Sequence, residues 1–256
     1  RDFGGLPEVM GGLPYAVNVM VLDENPRRAE QLRWIEENRP PLVTVAAGEP
    51  SFAGALRAKG LEVLYLAADV ELLLLAARAG VRFVVLEGFE AGGHVGRLSA
   101  LTLAQAALEA RRREPELFRE VRVILAGGVH DALSAARAVL LGADALQMGT
   151  AYLACREIVE SGALTPLYQR EILSAGFGAT RISGESVGLR VRALDTPMCR
   201  ALRDLERRKG AGELEEAAFR ARLEELAVGS LLVAAKGRGP GGESLPEDVC
   251  RERGQF

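Results

Sequence analysis

Residues Lys59 to Glu87, KGLEVLYLAADVELLLLAARAGVRFVVLE, decide the fold. Two apolar, β-branched runs, Leu61–Ala67 and Phe83–Glu87, flank a helical pattern over Val70–Ala79. A glycine stands at each helix-to-strand joint, in Lys59-Gly60-Leu61 and Ala79-Gly80-Val81. Glycine enters the left-handed conformation at a helix C-cap without a Cβ penalty, and a tight return into a strand requires that conformation. The same device recurs at Leu141-Gly142-Ala143. Working outward, further strand runs lie at Tyr15–Leu22, Leu42–Ala47, Val121–Ala126 and Ala145–Met148. Helical patterns fall between them at Pro26–Asn38, Ser51–Lys59, Leu101–Arg113 and Asp131–Leu141. Strand–helix units repeating every ~20 residues predict a parallel sheet with helical crossovers. The runs lack polar/apolar alternation, so the strands are expected to be covered on both faces.

Glycine-rich loops follow several successive strands rather than one switch point. That distribution favours an α/β fold of the TIM-type (β/α)8 barrel over an open doubly wound sheet. Six strands are counted, where eight close such a barrel. The chain opens at Arg1 without a methionine and passes from Gly4-Gly5-Leu6-Pro7 and Gly11-Gly12-Leu13-Pro14 straight into a strand. Such an opening is what an excised domain or an incomplete reading frame looks like. After Thr150 the pattern turns helical, at Ala151–Ser161, Thr165–Ala175, Thr196–Arg208, Gly212–Leu226 and Val228–Lys236. The expected organisation is a barrel portion over 1–153, a helical extension and lid over 154–236, and a flexible tail over 237–256.

The 256 residues carry a net charge of −3, with the two signs interspersed and no basic stripe of the kind nucleic-acid binding needs. Cys155, Cys199 and Cys250 are widely spaced and form neither a CxxC pair nor a disulfide framework. No apolar run reaches the ~18 residues that span a bilayer. A cytoplasmic protein is expected, acting on a small molecule. Zinc, calcium and P-loop patterns and a Gly-x-Ser-x-Gly elbow are absent from the sequence.

Two glycine motifs follow the last two strand runs: Ala126-Gly127-Gly128-Val129 and Gln147-Met148-Gly149-Thr150. A phosphate needs backbone N–H groups with no side chain in the way, and a following helix adds a favourable dipole. Barrels commonly bind phosphate after their last two strands. Gly127, Gly128, Gly149 and the Thr150 hydroxyl are therefore candidates, against the alternative that the glycines merely permit turns. In the loop Gly88-Phe89-Glu90-Ala91-Gly92-Gly93-His94-Val95-Gly96, glycines including Gly92 and Gly93 allow close backbone approach of a ligand beside His94. A neutral imidazole there takes a proton from an acidic carbon or polarises an oxygen. Glu90 is placed to orient a backbone amide of the loop. Asn18, polar within an apolar run, and Gln147 need partners if buried, from a ligand or from a neighbouring loop. His130 reads as a surface or capping residue. Ser183–Arg192 reads either as a lid or as a simple interhelix loop.

The nine-residue loop around His94 resembles the signature of the nitronate monooxygenase family, formerly called 2-nitropropane dioxygenases. That family includes flavin-dependent enoyl-acyl-carrier-protein reductases and reductase-like domains of polyketide and polyunsaturated fatty acid synthases. Ala16-Val17-Asn18-Val19, Leu125–Val129 and Gly142–Thr150 match in the same order. The resemblance implies an FMN-binding (β/α)8 barrel whose first two strands this chain is expected to lack, leaving exposed sheet edges. Gly127, Gly128, Gly149 and Thr150 would hold the FMN phosphate, Asn18 and Gln147 would face the flavin, and His94 would be the catalytic base or substrate-orienting group. The implied activity is oxidation of alkyl nitronates with O2. The alternatives are NAD(P)H-dependent reduction of an enoyl thioester, or a non-catalytic module of a larger synthase. A homo-oligomer or a linked upstream domain is a possible partner on this reading.

Overall fold

The computed structural model describes residues 5–23, 25–188 and 190–256; Gly4 of the N-terminal glycine–proline stretch and Leu189 of the polar loop lie outside them. In chain order the first half contains α1 (Leu6–Met10), β1 (Ala16–Met20), α2 (Arg28–Asn38), β2 (Leu42–Ala46), α3 (Pro50–Ala58), β3 (Val63–Ala67), α4 (Val70–Arg78), β4 (Phe83–Glu87), β5 (Gly93–His94), α5 (Ala100–Arg113), β6 (Arg122–Ala126), α6 (Ala132–Leu140) and β7 (Ala145–Gln147). The second half contains α7 (Thr150–Leu153), α8 (Arg156–Glu160), α9 (Pro166–Ser174), β8 (Thr180–Ser183), a 3-10 turn (Glu185–Val187), β9 (Val191–Leu194), α10 (Pro197–Gly210), α11 (Glu216–Ala227), α12 (Ser230–Lys236) and α13 (Glu247–Arg253). The chain divides into two compact units. The first runs to Glu90 and resumes over Gly96–Gln147; the second comprises Ala91–Val95 and Met148–Phe256.

The first unit is a parallel sheet in the order β1-β2-β3-β4-β6-β7 with a helix after each of its first five strands, the sequential winding of a (β/α) barrel. β1 and β7 each pair with one neighbour among the described residues. At the three glycine joints the residue after the glycine bonds back into the helix, as Leu61 N to Leu56 O, Val81 N to Ala76 O and Ala143 N to Ala138 O. Gly60, Gly80 and Gly142 all have φ near +80 to +90, the left-handed geometry that closes a helix and returns the chain. At the other ends, Asp69, Ser99 and Asp131 side chains accept from the N–H groups of Leu72, Thr102 and Ser134 and start α4, α5 and α6.

The strands are not covered equally on both faces as expected. Val17, Val19, Val43, Val45, Val63, Tyr65, Val84 and Leu86 are buried on the face against which the unit's helices pack. Their neighbours Ala16, Asn18 and Met20 on β1 are exposed, and Leu42, Thr44 and Ala46 on β2 half-buried. That second face is itself largely apolar, so the runs read as continuous although burial alternates. A small cluster of Val85, Ile124 and Ala126, with Leu64, Leu66 and Phe83 against it, closes the face toward β4 and β6.

In the second unit the expected helix over Ala151–Ser161 is two short ones, α7 and α8, broken where Cys155 is extended at φ −70, ψ 146. The stretch Ser183–Arg192, read as a lid or an interhelix loop, instead joins two strands, β8 and β9. These form a three-stranded antiparallel sheet with β5, in the order β5-β9-β8. The stretch 237–256, expected as a flexible tail, is also folded. Arg238 bridges Ser244, α13 follows, and Cys250 and Phe256 are buried with Leu167, Val233 and Ala234. Cys250, Phe256 and the partly buried Leu245 anchor this polar, glycine-rich stretch.

Candidate active site

In the first unit, the C-terminal ends of β4, β6 and β7 place Glu87 opposite Ala126 and Ala126 opposite Gln147. Glu87, Ala126 and Gln147 thus form one row on the sheet face that the helices leave free. Asn18 shares that face but stands on β1, at the opposite edge of the sheet. Its side chain is exposed, so it is not a buried amide in need of a partner. Gln147 is half-buried. Burial alone pushes the Glu87 carboxyl up to about 7, because a carboxylate loses its hydration there.

Gly127 and Gly128 follow β6 with φ of +98 and +67, a geometry side chains resist. A Cβ on Gly128 would lie 3.3 Å from the Glu90 Cβ. The N-terminus of α6 is not free for an anion as expected. Asp131 caps it, accepting from Ser134 N at 2.8 Å while Ser134 Oγ accepts from Asp131 N. The Arg137 guanidinium reaches this turn, its Nη2 donating to Gly128 O at 3.4 Å. His130 is exposed beside Asp131, a surface residue as read from the sequence.

The loop after β4 is built by close packing. A Cβ on Gly88 would fall 2.5 Å from Ala100 N, and one on Gly96 2.7 Å from Ala68 O and 3.0 Å from Glu87 O. Neither position tolerates a side chain without movement. Glu90 accepts from Ala100 N at 2.9 Å, a carboxylate at the positive end of α5. Phe89 N donates to Leu98 O at 2.8 Å.

In the second unit the loop's remainder forms β5. Gly93 pairs with Arg192 and His94 with Val191, and Val95 N donates to Arg190 O at 3.0 Å. His94 is exposed. Gly92 lies against Thr150, since a Cβ there would meet Thr150 Oγ1 at 3.4 Å. Within this unit, then, the His94 strand and the Gly149–Thr150 motif are brought side by side. Gly149 has nothing within 4 Å of a Cβ position, so its backbone is open to approach. Gly93, with φ +78, is equally open.

Sequence reading missed Arg137 and Glu87. Arg137 is the one charged residue of α6, which reads from sequence as a solvated helix position, and only the fold carries its side chain back to Gly128. Glu87 ends an apolar strand, and its acid in an otherwise apolar run was the available signal.

A parallel α/β sheet wound in barrel order, with its glycine loops at the C-terminal strand ends, defines an α/β protein of the (β/α)-barrel class. The match to the family model described as nitronate monooxygenase spans residues 12–230, and the chain belongs to that family. A nitronate monooxygenase of Pseudomonas aeruginosa is 38% identical over 49% of this chain and 37% of its own length. Another, from Paraburkholderia phytofirmans, is 31% identical over 62% of this chain and 43% of its own. The chain thus spans less than half the length of these relatives. Among solved structures, FabK from Thermotoga maritima superposes with a TM-score of 0.75 at 28% identity, covering 100% of this chain and 73% of that one. Among the described residues, no helix is long and apolar enough to cross a membrane.

Proposed function

We propose that this chain is the core of an FMN-dependent oxidoreductase that oxidises alkyl nitronates with O2. The observation that carries the reading is the juxtaposition of Gly92 with Thr150 Oγ1 in a chain of this family. It sets the histidine-bearing loop beside a motif suited to a phosphate.

The residues fit FMN at the level of backbone. Gly127 and Gly128 leave the sheet from Ala126, and Met148-Gly149-Thr150 leaves from its register partner Gln147. As the family resemblance implies, the Gly127, Gly128 and Gly149 amides and the Thr150 hydroxyl would hold the phosphate, and the Arg137 guanidinium stands beside Gly128. Gly92 and Gly93 would let the cofactor approach the loop, and Gln147 and Asn18 would face the flavin ring. When bound, FMN would supply the electron-accepting chemistry. His94 would orient the nitronate oxygens by hydrogen bonding, or take the proton from the carbon beside the nitro group when the neutral nitroalkane is presented. The half-buried Glu87 and its apolar neighbours Val85 and Ile124 would limit water on that face.

Titration of the purified chain with FMN, followed by anaerobic mixing with propyl-2-nitronate, tests the reading. Flavin uptake, bleaching by the nitronate and O2 consumption on readmission of air are expected. Bleaching by NADPH and not by nitronate would replace this reading with an enoyl-thioester reductase. Failure to take up FMN would replace it with a non-catalytic module.

A further inference from the structure

We infer that Glu206 is a positioning residue for His94, acting through the β8–β9 hairpin. The inference rests on the reading of His94 as the reacting group, and every contact in it lies within the second unit. Glu206 projects from α10 to the turn that joins β8 to β9. Its Oε2 accepts from Gly184 N at 3.0 Å, and its Oε1 accepts from Ser186 N at 3.0 Å and from Ser186 Oγ at 2.8 Å. One carboxylate thus holds the residues on either side of Glu185. Charge-assisted bonds of this kind are the strong ones.

Two further contacts carry the restraint onward. Glu185 Oε1 pairs with Arg190 Nε at 3.0 Å, and the Arg190 side chain is only 18% exposed. The Arg190 carbonyl in turn accepts from Val95 N at 3.0 Å, next to His94. Among the described residues, β5 is fixed by its two-residue pairing with β9, Gly93 to Arg192 and His94 to Val191. A two-residue strand that begins with glycine and follows another, Gly92, has little intrinsic strand preference. Their geometry is inherited from β9, and β9 is held at its N-terminal end by the turn that Glu206 grips. Gly184 and Gly188 bound that turn at φ +83 and +73, so the backbone itself offers little stiffness there.

The test uses Glu206→Ala and Glu206→Gln in the full chain, with Asp204→Asn as a control, since Asp204 pairs with Arg207 on the same helix. Amide exchange is read at Gly184, Ser186 and Val95. The imidazole resonances of the two histidines are read by NMR, His130 serving as the internal reference. Glu206→Ala is expected to raise exchange at Gly184, Ser186 and Val95 by about tenfold and to shift the His94 resonances. His130 should stay in place, and Asp204→Asn should change none of these. Nitronate turnover should fall in kcat with KM unchanged. Faster exchange at Gly184 and Ser186 with Val95 and His94 unmoved would overturn the inference, as would no change at all. If Glu206→Ala does not fold, Glu206→Gln, which retains one accepting oxygen, is judged by the same readouts with a smaller effect. Should His94→Ala keep full nitronate turnover, the catalytic reading falls, and the exchange data still decide the role of Glu206.

Discussion

Glu90 and Ala100 are joined by a 2.9 Å hydrogen bond from the Ala100 N–H to the Glu90 carboxylate. It ties the loop after β4 to the first turn of α5, and Gly128 packs against the same side chain. Replacing Glu90 with alanine removes both the acceptor and the negative charge at the helix N-terminus. A loss of about 1 kcal/mol is expected, read as a lower urea midpoint with an unchanged slope. Glu90→Gln should recover part of it. An unaltered midpoint in the alanine variant would show that water replaces the bond without cost.

Gly96 should reject even a methyl group. A Cβ there would stand 2.7 Å from Ala68 O, and backbone oxygens on two strand ends cannot both give way. Gly96→Ala is expected to cost roughly 1–3 kcal/mol in thermal or urea unfolding. Gly93→Ala, at a position open to solvent but with φ +78, should instead perturb through backbone strain alone.

Glu87 makes stability depend on pH. Its carboxyl is pushed up to about 7 from an ordinary 4.5 by burial. Between these values the folded chain keeps a proton that the unfolded chain has released, so stability falls as pH rises and the loss is complete above the folded value. Glu87→Gln should remove that slope and be more stable than the parent at pH 8, by up to about 3 kcal/mol. Parallel pH profiles of the two proteins would refute the assignment.

Arg137→Ala tests the phosphate cradle separately from the chemistry. Loss of the guanidinium beside Gly128 should weaken FMN binding about tenfold and flatten its salt dependence. His94→Ala should leave FMN binding intact while lowering nitronate turnover about a hundredfold or more. Equal effects of both substitutions on flavin affinity would break the division of roles.

Phe256 is buried with Leu167, Val233, Ala234 and Cys250 and stacks at 5.3 Å against Tyr168. Phe256→Ala should destabilise the second unit by about 3 kcal/mol. Limited proteolysis would then cut within 237–256, where the parent resists.

The chain's local chemistry already spells out the first unit. β4 spans Phe83–Glu87, the run read from sequence, and α4 follows its Asp69 cap. Apolar periodicity and glycine joints are local signals that need no distant partner. The His94 loop was recognisable for the same reason, as nine consecutive residues. The β5–β9 pairing was not, because Gly93–His94 is too short to carry a strand pattern. Its partner Val191 lies far along the chain, in a stretch whose glycines and arginines read as loop.

Taken alone, then, the order of residues determined the six parallel strands, the helices between them and the family to which the chain belongs. Only the tertiary structure decided which sheet face the helices cover, that Asn18 stands exposed, that Asp131 occupies the α6 N-terminus, and that the last residues dock on α9 and α12. The reason is that periodicity is written in neighbouring residues. Burial and charge pairing depend instead on which distant segments meet, and apolar residues on both faces of a strand look alike until one face is covered.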